Sequence, residues 1–219
     1  MADNYLEKRY EEVFGKAAPA KRQPSRIGLD TLLTANRSVR GYDKSYKVHP
    51  RQLQAIISVN TRIASSVNMQ MLRFRPVTWE DTEAVALIQA HTRMGRGLPE
   101  LNLPFPGTEP EAFIVVCSTV GENSSSLIDL GISLQSMLLK AVELGLNGLI
   151  IRNFDHEPIK EGLGLPLEPL AVLAIGRSAE KVQLVTLPHA SEHPASELKY
   201  YRRDGIHFVP KIPVEDLII

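Results

Sequence analysis

A single cysteine, Cys117, stands in a chain of 219 residues. One thiol per chain supplies neither a disulfide framework nor a thiolate metal cage. Set in the apolar run Ala112-Phe113-Ile114-Val115-Val116-Cys117, it reads as a small buried hydrophobe rather than a nucleophile. An excess of charge is also lacking: 25 Lys and Arg meet 25 Asp and Glu. That is not the basic surplus of a general nucleic-acid binder, although a local basic pocket is compatible with it. Residues 1–16 are charged and polar, with no apolar stretch of signal-peptide length. The most apolar window, residues 127–146, carries Asp129, Lys140 and Glu143, too many charges for a membrane span. A reducing, cytoplasmic compartment without membrane partners is the resulting expectation. No Gly-x-Gly-x-x-Gly follows a strand and no Walker loop is present, so a Rossmann or P-loop nucleotide site is not indicated. There is no internal repeat.

What is present is an apolar fraction of 43%, enough for a sizeable core. Residues 1–26, with a short amphipathic stretch at 4–14 and a Pro/Ala loop after it, read as an N-terminal arm. The main domain runs from residue 27 to 219. Apolar spacing predicts a helix over 52–65, a strand over 74–78 and a second helix from Trp79 to about Met94. A Gly/Pro-rich region, residues 95–110, reads as a lid or binding loop. The strongest strand is 112–118. Ser124-Ser125-Ser126 offers an N-cap to a long helix over 127–146, which is apolar almost all round and so expected to be buried on every side, partly against a second subunit. Asn147-Gly148 closes it. A short strand follows at 148–151, then a helix capped by Asp155 with Pro158 in its first turns, and a strand at 170–175. The tail, residues 189–219, shows little periodicity. Strands and helices interleave without a regular β-α-β rhythm, which predicts an α+β fold: a central, mostly antiparallel sheet flanked by helices.

Three segments carry polar groups suited to a ligand. Asn36-Arg37-Ser38-Val39-Arg40-Gly41-Tyr42 sets two arginines and a serine close together, forked donors that suit a phosphate. In Ala64-Ser65-Ser66-Val67-Asn68-Met69-Gln70-Met71-Leu72-Arg73-Phe74, small polar residues let backbone approach a flat ligand. Gly145-Leu146-Asn147-Gly148 leads through Leu149-Ile150-Ile151 to the polar pair Arg152-Asn153. Taken singly, each is an ordinary element: a solvated basic turn, a helix end, a helix-to-strand connection.

In this order, together with Asp129-Leu130-Gly131 in the long helix and Gly162-Leu163-Gly164-Leu165-Pro166 before Ala174-Ile175-Gly176, the segments resemble the nitroreductase family over residues 30–177. The chain departs from the family pattern at Asn36, where an arginine is usual, at Ala64 for proline, and at Met71-Leu72 for Pro-Trp. The resemblance implies an intertwined homodimer with flavin mononucleotide (FMN) between subunits. Arg37, Ser38 and Arg40 would come from one subunit, and Ser65, Ser66 and Asn68 from the other, with Asn68 of the same subunit left as an alternative. Backbone amides of Arg152 and Asn153 would lie near flavin N5, and Arg202 would close on the phosphate from the tail. The implied activity is hydride transfer from NAD(P)H to flavin and on to a quinone or nitroaromatic type acceptor, with ping-pong kinetics and no catalytic side chain beyond Arg40, which would stabilise reduced flavin. A flavin carrier or sensor without turnover, and an interaction protein that has lost flavin, are the alternatives.

Other groupings read as structural. His189 and His193 lie four apart, but Pro188 and Pro194 bracket them, so a loop rather than a zinc-binding helix is expected. His49, His91, His156 and His207 read as surface residues, Asp155-His156-Glu157 as a helix cap, and Arg93 and Arg96 as a solvated pair.

Overall fold

The computed structural model describes residues 27–95 and 101–219. The predicted helix at 4–14, the arm to residue 26, and Arg96 lie outside them. The elements are α1 (Leu29–Ala35), α2 (Pro50–Ile57), β1 (Leu72–Val77), α3 (Thr82–His91), β2 (Phe113–Ser118), α4 (Ser124–Glu143), β3 (Asn147–Ile151), α5 (His156–Gly162), β4 (Glu168–Gly176), β5 (Lys181–Thr186), β6 (Tyr201–Arg203) and β7 (Ile206–Lys211).

The central sheet has the order β1-β2-β4-β3, every pairing antiparallel. Alternation along the two inner strands divides the core. Phe113, Val115 and Cys117 on β2, with Val172 and Ala174 on β4, face a cluster that includes Val85 and Ile88 of α3 and Ile159 of α5. Ile114 and Val116, with Ala171, Leu173 and Ile175, face Leu53 and Ile56 of α2 and Leu130, Leu134, Met137 and Ala141 of α4. Two-residue periodicity therefore builds one apolar layer above the sheet and one below. Because β2 is buried on both faces, its sequence is a continuous apolar run. Cys117 belongs to this interior, and burial pushes its thiol up to about 11.

The edge strands are guarded differently. On β1, Arg73 and Arg75 alternate with half-buried Leu72 and Phe74, and Pro76 removes one amide donor. On β3, the edge is covered by the segment before residue 42: Ser38 bridges Gly148 in parallel, and the Val39 amide donates to the Gly148 carbonyl at 3.1 Å.

Several boundaries differ from the sequence expectation. The helix predicted over 52–65 ends at Ile57 and tightens into a 3₁₀ turn, Ser58–Thr61. The helix predicted from Trp79 begins at Thr82, because the Asp81 carboxylate accepts from the Ala84 amide and caps it. The N-cap of α4 is Asn123, not the serine run; it exchanges hydrogen bonds with Ser126 in a reciprocal capping box. The helix stops at Gly145 (φ +74°), so Asn147 already belongs to β3. Asp155 precedes α5 without capping it through its side chain, since Arg93 (2.7 Å) and His91 (3.1 Å) occupy its carboxylate and hold it down at about 2. Within one chain the long helix leaves one face exposed, with Leu127, Ile132 and Ile128, the last at 63%, while its other side is buried against the core. No helix among the described residues is long and apolar enough to cross a membrane.

The largest difference lies in the tail. Its β6 and β7 join β5, just before the tail, in a second sheet of order β5-β7-β6, with β5 and β7 parallel and β6 antiparallel to β7. The end of the chain is held at Asp216, whose carboxylate receives His193 Nε2 (2.8 Å), the Ala190 amide (3.1 Å) and His189. The two histidines thus converge on one carboxylate from a non-helical segment.

Gly148 admits no side chain: a Cβ there would lie 2.4 Å from the Ala174 carbonyl oxygen and 2.8 Å from Leu138 Cδ2. Gly148→Ala is expected to cost about 3 kcal/mol, read as a lower urea midpoint with an unchanged m-value. The tail anchor is predicted to depend on pH. The hydrogen bond to Asp216 raises the His193 imidazole, and the bond from His193 lowers the Asp216 carboxyl. The raised imidazole contributes fully below its unfolded value and loses that contribution as pH rises through its folded one. The lowered carboxyl contributes above its unfolded value and loses it as pH falls through its folded one. Protection of residues 189–219 against hydrogen exchange, corrected for intrinsic rates, should therefore peak between about pH 4 and about pH 6.5 and decline above, and Asp216→Asn should flatten the profile.

Candidate functional site

The basic segment is not a solvated turn. Its backbone is pinned at both ends: the Arg37 amide donates to Asn147 Oδ1 (3.3 Å) and the Arg40 amide to Glu180 Oε2 (3.0 Å). Between them Val39 is buried, and the Tyr42 hydroxyl donates to its carbonyl at 2.8 Å. With Val39 turned inward, Arg37, Ser38 and Arg40 are left to line a cavity of about 510 Å³.

The rest of the wall comes from four places. Leu33 and Asn36 belong to the end of α1, Gln135 and Leu138 to α4, and Ile150 to β3. The small sheet contributes Val182 of β5 and His207, Val209 and Lys211 of β7, with Tyr200 just before β6. His207, Val209 and Lys211 are two residues apart, the spacing that puts them on one face of the strand. Among the described residues, three permanent cations line this cavity and no carboxylate does. Among the same residues, the Nε atoms of Arg37 and Arg40 are buried with no hydrogen-bond partner, and burial lowers the Arg37 pKa. The Arg40 guanidinium lies 5.3 Å from the Tyr200 ring centroid, a cation–π contact. Orphaned guanidinium donors on a cavity edged by apolar side chains fit a flat ligand that carries an anion.

Of the residues singled out from sequence, only Arg37, Ser38 and Arg40 meet in this cavity. Ser65 lines a different one, about 330 Å³, with Gln54, Ile57, Met71, Phe74, Asp129 and others. There the Ser65 hydroxyl accepts from the Gln70 amide (3.1 Å), and the Ser66 amide donates to Asp129 Oδ1 (2.8 Å). Asp129 is 3% exposed, and its Oδ2 has no partner. Ser66 and Asn68 lie beside this cavity on a strained turn: Val67, Asn68 and Gln70 have φ of 48°, 54° and 47°. A β-branched residue at positive φ is a genuine outlier, and such strain collects at ligand sites. The turn displays Val67 at 90% exposure, together with exposed Met69.

Arg152 and Asn153 line neither cavity. Arg152 pairs with Glu122 at 3.0 Å, and the Asn153 carbonyl accepts from the Arg93 amide. Arg202 lies 4.8 Å from the Phe105 ring centroid and is also outside the wall of the 510 Å³ cavity. The tail's cation on that wall is Lys211. Sequence reasoning missed Tyr200, His207 and Lys211. The available signal was the alternation in Ile206-His207-Phe208-Val209-Pro210-Lys211, a half-buried strand. His207, expected at the surface, is 4% exposed.

The sequence profile of the nitroreductase family matches residues 33–177. The fold agrees. A nitroreductase family protein from Clostridium difficile 630 superposes with a TM-score of 0.57 at 21% identity, covering 81% of this chain and 99% of that one. An FMN-dependent nitroreductase from Clostridium difficile R20291 gives 0.54 at 25% identity, over 68% and 87%. The FMN- and NADPH-dependent nitroreductase NfnB from Sphigopyxis sp. strain HMH gives 0.55 at 20% identity, over 70% and 89%. No curated protein matches the chain. Sheet order, the pinned basic segment and the matched span together define an α+β nitroreductase-like fold. The chain belongs to the nitroreductase family.

The two tail cations are separable by experiment. Lys211→Ala should weaken binding of inorganic phosphate about tenfold, the loss of one charge-assisted contact. Arg202→Ala should weaken it less; equal effects of both, by calorimetry, would mean the cavity wall is assigned wrongly.

Proposed function

We propose that this chain is an FMN-dependent oxidoreductase that works as a homodimer and passes hydride from NAD(P)H to a small electron-poor acceptor of the quinone or nitroaromatic type, by ping-pong kinetics, in the cytoplasm. The observation that carries this reading is the 510 Å³ cavity with three cations, no carboxylate and two orphaned guanidinium nitrogens, in a chain of zero net charge. Its volume falls in the range of about 300–1,000 Å³ typical of cofactor and ligand pockets. The similar solved structures described as FMN-dependent support the choice of flavin over another planar anion.

Arg37, Ser38 and Lys211 hold the phosphate end in this reading. Leu138, Ile150 and Val209 supply apolar walls for the ring. Bound FMN supplies the hydride chemistry at its N5. Arg40 is placed to stabilise negative charge growing at the far edge of the ring, a preorganised cation in a partly buried site.

Two features support a second subunit. The uncovered apolar face of α4, with Leu127, Ile128 and Ile132, continues to Gln135, which lines the cavity. The Ser66–Asn68 turn and Met69 after it leave the apolar side chains of Val67 and Met69 exposed among the described residues. A two-fold dimer through α4 would bring the partner's copy of this turn to the open cavity, so each site would draw on two chains. Arg152, Asn153 and Arg202, which line neither of the two cavities described above, remain candidates for contacts completed in that dimer.

An absorption spectrum of the purified protein, followed by anaerobic NAD(P)H, tests cofactor and reaction class together: flavin bands that bleach are expected. Bands that persist would favour a carrier, and a colourless protein whose melting temperature FMN does not raise would end the flavin assignment. Arg40→Ala should slow reduction about 100-fold, or about 3 kcal/mol of barrier, while weakening FMN binding less. Loss of binding with an intact reduction rate in reconstituted protein would remove that role from Arg40.

A further inference from the structure

His207 and Glu180 form a buried pair that the hydride reaction does not use. His207 Nε2 lies 3.8 Å from Glu180 Oε1, with both side chains almost fully enclosed. That separation permits strong attraction but is too long for a hydrogen bond, and neither atom has another partner among the described residues. Unsatisfied buried polar atoms are rare in folded proteins and call for an explanation. The backbone leaves little slack: His207 sits on β7, held by β5 on one side and β6 on the other. Glu180 precedes β5, and its Oε2 is committed to the Arg40 amide. One end of this pair lines the 510 Å³ cavity through His207, and the other is fixed beneath the basic segment.

We infer that His207, backed by Glu180, is a proton-taking contact for the anionic group of the cavity's ligand: entry of a phosphate dianion puts a proton on the imidazole, which then donates to the anion while Glu180 closes on Nε2. The proton comes from solvent, and no covalent bond changes. The neighbours of His207 explain the coupling. Burial is the strongest influence and holds the free imidazole below its ordinary value; Glu180 pulls it up, and Arg202 of β6 and Arg40 push it down. Arg37, Tyr200 and Lys211, from β7 itself, share the cavity wall. Burial first, and then the positive charge of the free cavity, thus bias the imidazole toward its neutral form. A dianion held by Arg37 and Lys211 offsets the positive charge on the cavity wall and leaves Glu180 to draw a proton onto the imidazole.

The linkage has a definite sign. Ligand raises the imidazole pKa, so binding takes up a proton between the free and bound values, and affinity falls as pH rises through the bound one. The inference rests on the proposed function only for the identity of the ligand as FMN. Isothermal calorimetry of FMN into the full chain, freed of flavin and run in two buffers of different ionisation enthalpy, reads the proton count. Between about pH 7 and 8.5 a phosphate ester, with a second pKa of about 6, is already dianionic. Wild type should take up as much as one proton per site, with affinity dropping by at most about tenfold per pH unit. His207→Gln should bind with no uptake and a flat profile, and Glu180→Gln should move the uptake to lower pH. Binding by wild type without uptake, or equal uptake by His207→Gln, overturns the inference. Should His207→Gln not fold, the imidazole titration of wild type by NMR with and without ligand decides, an unmoved His207 resonance overturning it. Inorganic phosphate separates the two readings: His207-dependent uptake with phosphate but no FMN binding keeps the proton contact and removes the flavin, whereas binding of neither ends both.

Discussion

Two backbone contacts at Gly148 organise the molecule. The free edge of β3 accepts a short parallel bridge from Ser38 and a hydrogen bond from the Val39 amide. That contact requires glycine, because the Ala174 carbonyl leaves no room for a Cβ. It satisfies an exposed row of peptide groups and at the same time fixes the height and direction of Arg37 and Arg40. Two flexible side chains that ordinarily snorkel into water are thereby held over a partly enclosed space. Without the bridge the arginines would belong to a surface loop, and the cavity would lose a wall.

The electrostatic consequence is local. A chain with no net charge has no long-range pull on an anion, so attraction must come from placement. The segregation is visible at short range: Glu180 lies behind the basic segment and is bonded to backbone, while no carboxylate reaches the cavity wall. The same carboxylate raises the Tyr42 phenol, already raised by its burial, and keeps that hydroxyl as a neutral donor to Val39. Elsewhere in the fold, Asp155 pairs with Arg93 and His91, and Glu109 with Lys44.

How much of this was legible depended on how each element is buried. β2 and β4 are enclosed on both faces and read as unbroken apolar runs, so their positions were recoverable nearly to the residue. Helix ends were less so, because capping by Asn123 or Asp81 depends on side-chain geometry rather than on apolar spacing. The tail was opaque for a different reason. β6 is three exposed residues, and β7 has one half-covered face interrupted by Pro210. β7 is held by parallel pairing with β5 across an irregular connection, and no local pattern announces such a pairing. Half of the site followed the same division. Arg37, Ser38 and Arg40 were readable as a charged cluster, whereas Tyr200, His207 and Lys211 join it only through the tertiary fold.

The two rims of the central sheet are both closed, one by Ser38 laid along β3 and the other by Pro76 and the outward arginines of β1. A sheet sealed at each end offers no template for another chain to extend it. In the proposed homodimer, association falls to the exposed apolar side of the long helix, where contact between identical surfaces terminates after one pairing instead of propagating. The edge chemistry of two strands is consistent with that finite assembly and disfavours strand-by-strand extension into fibres.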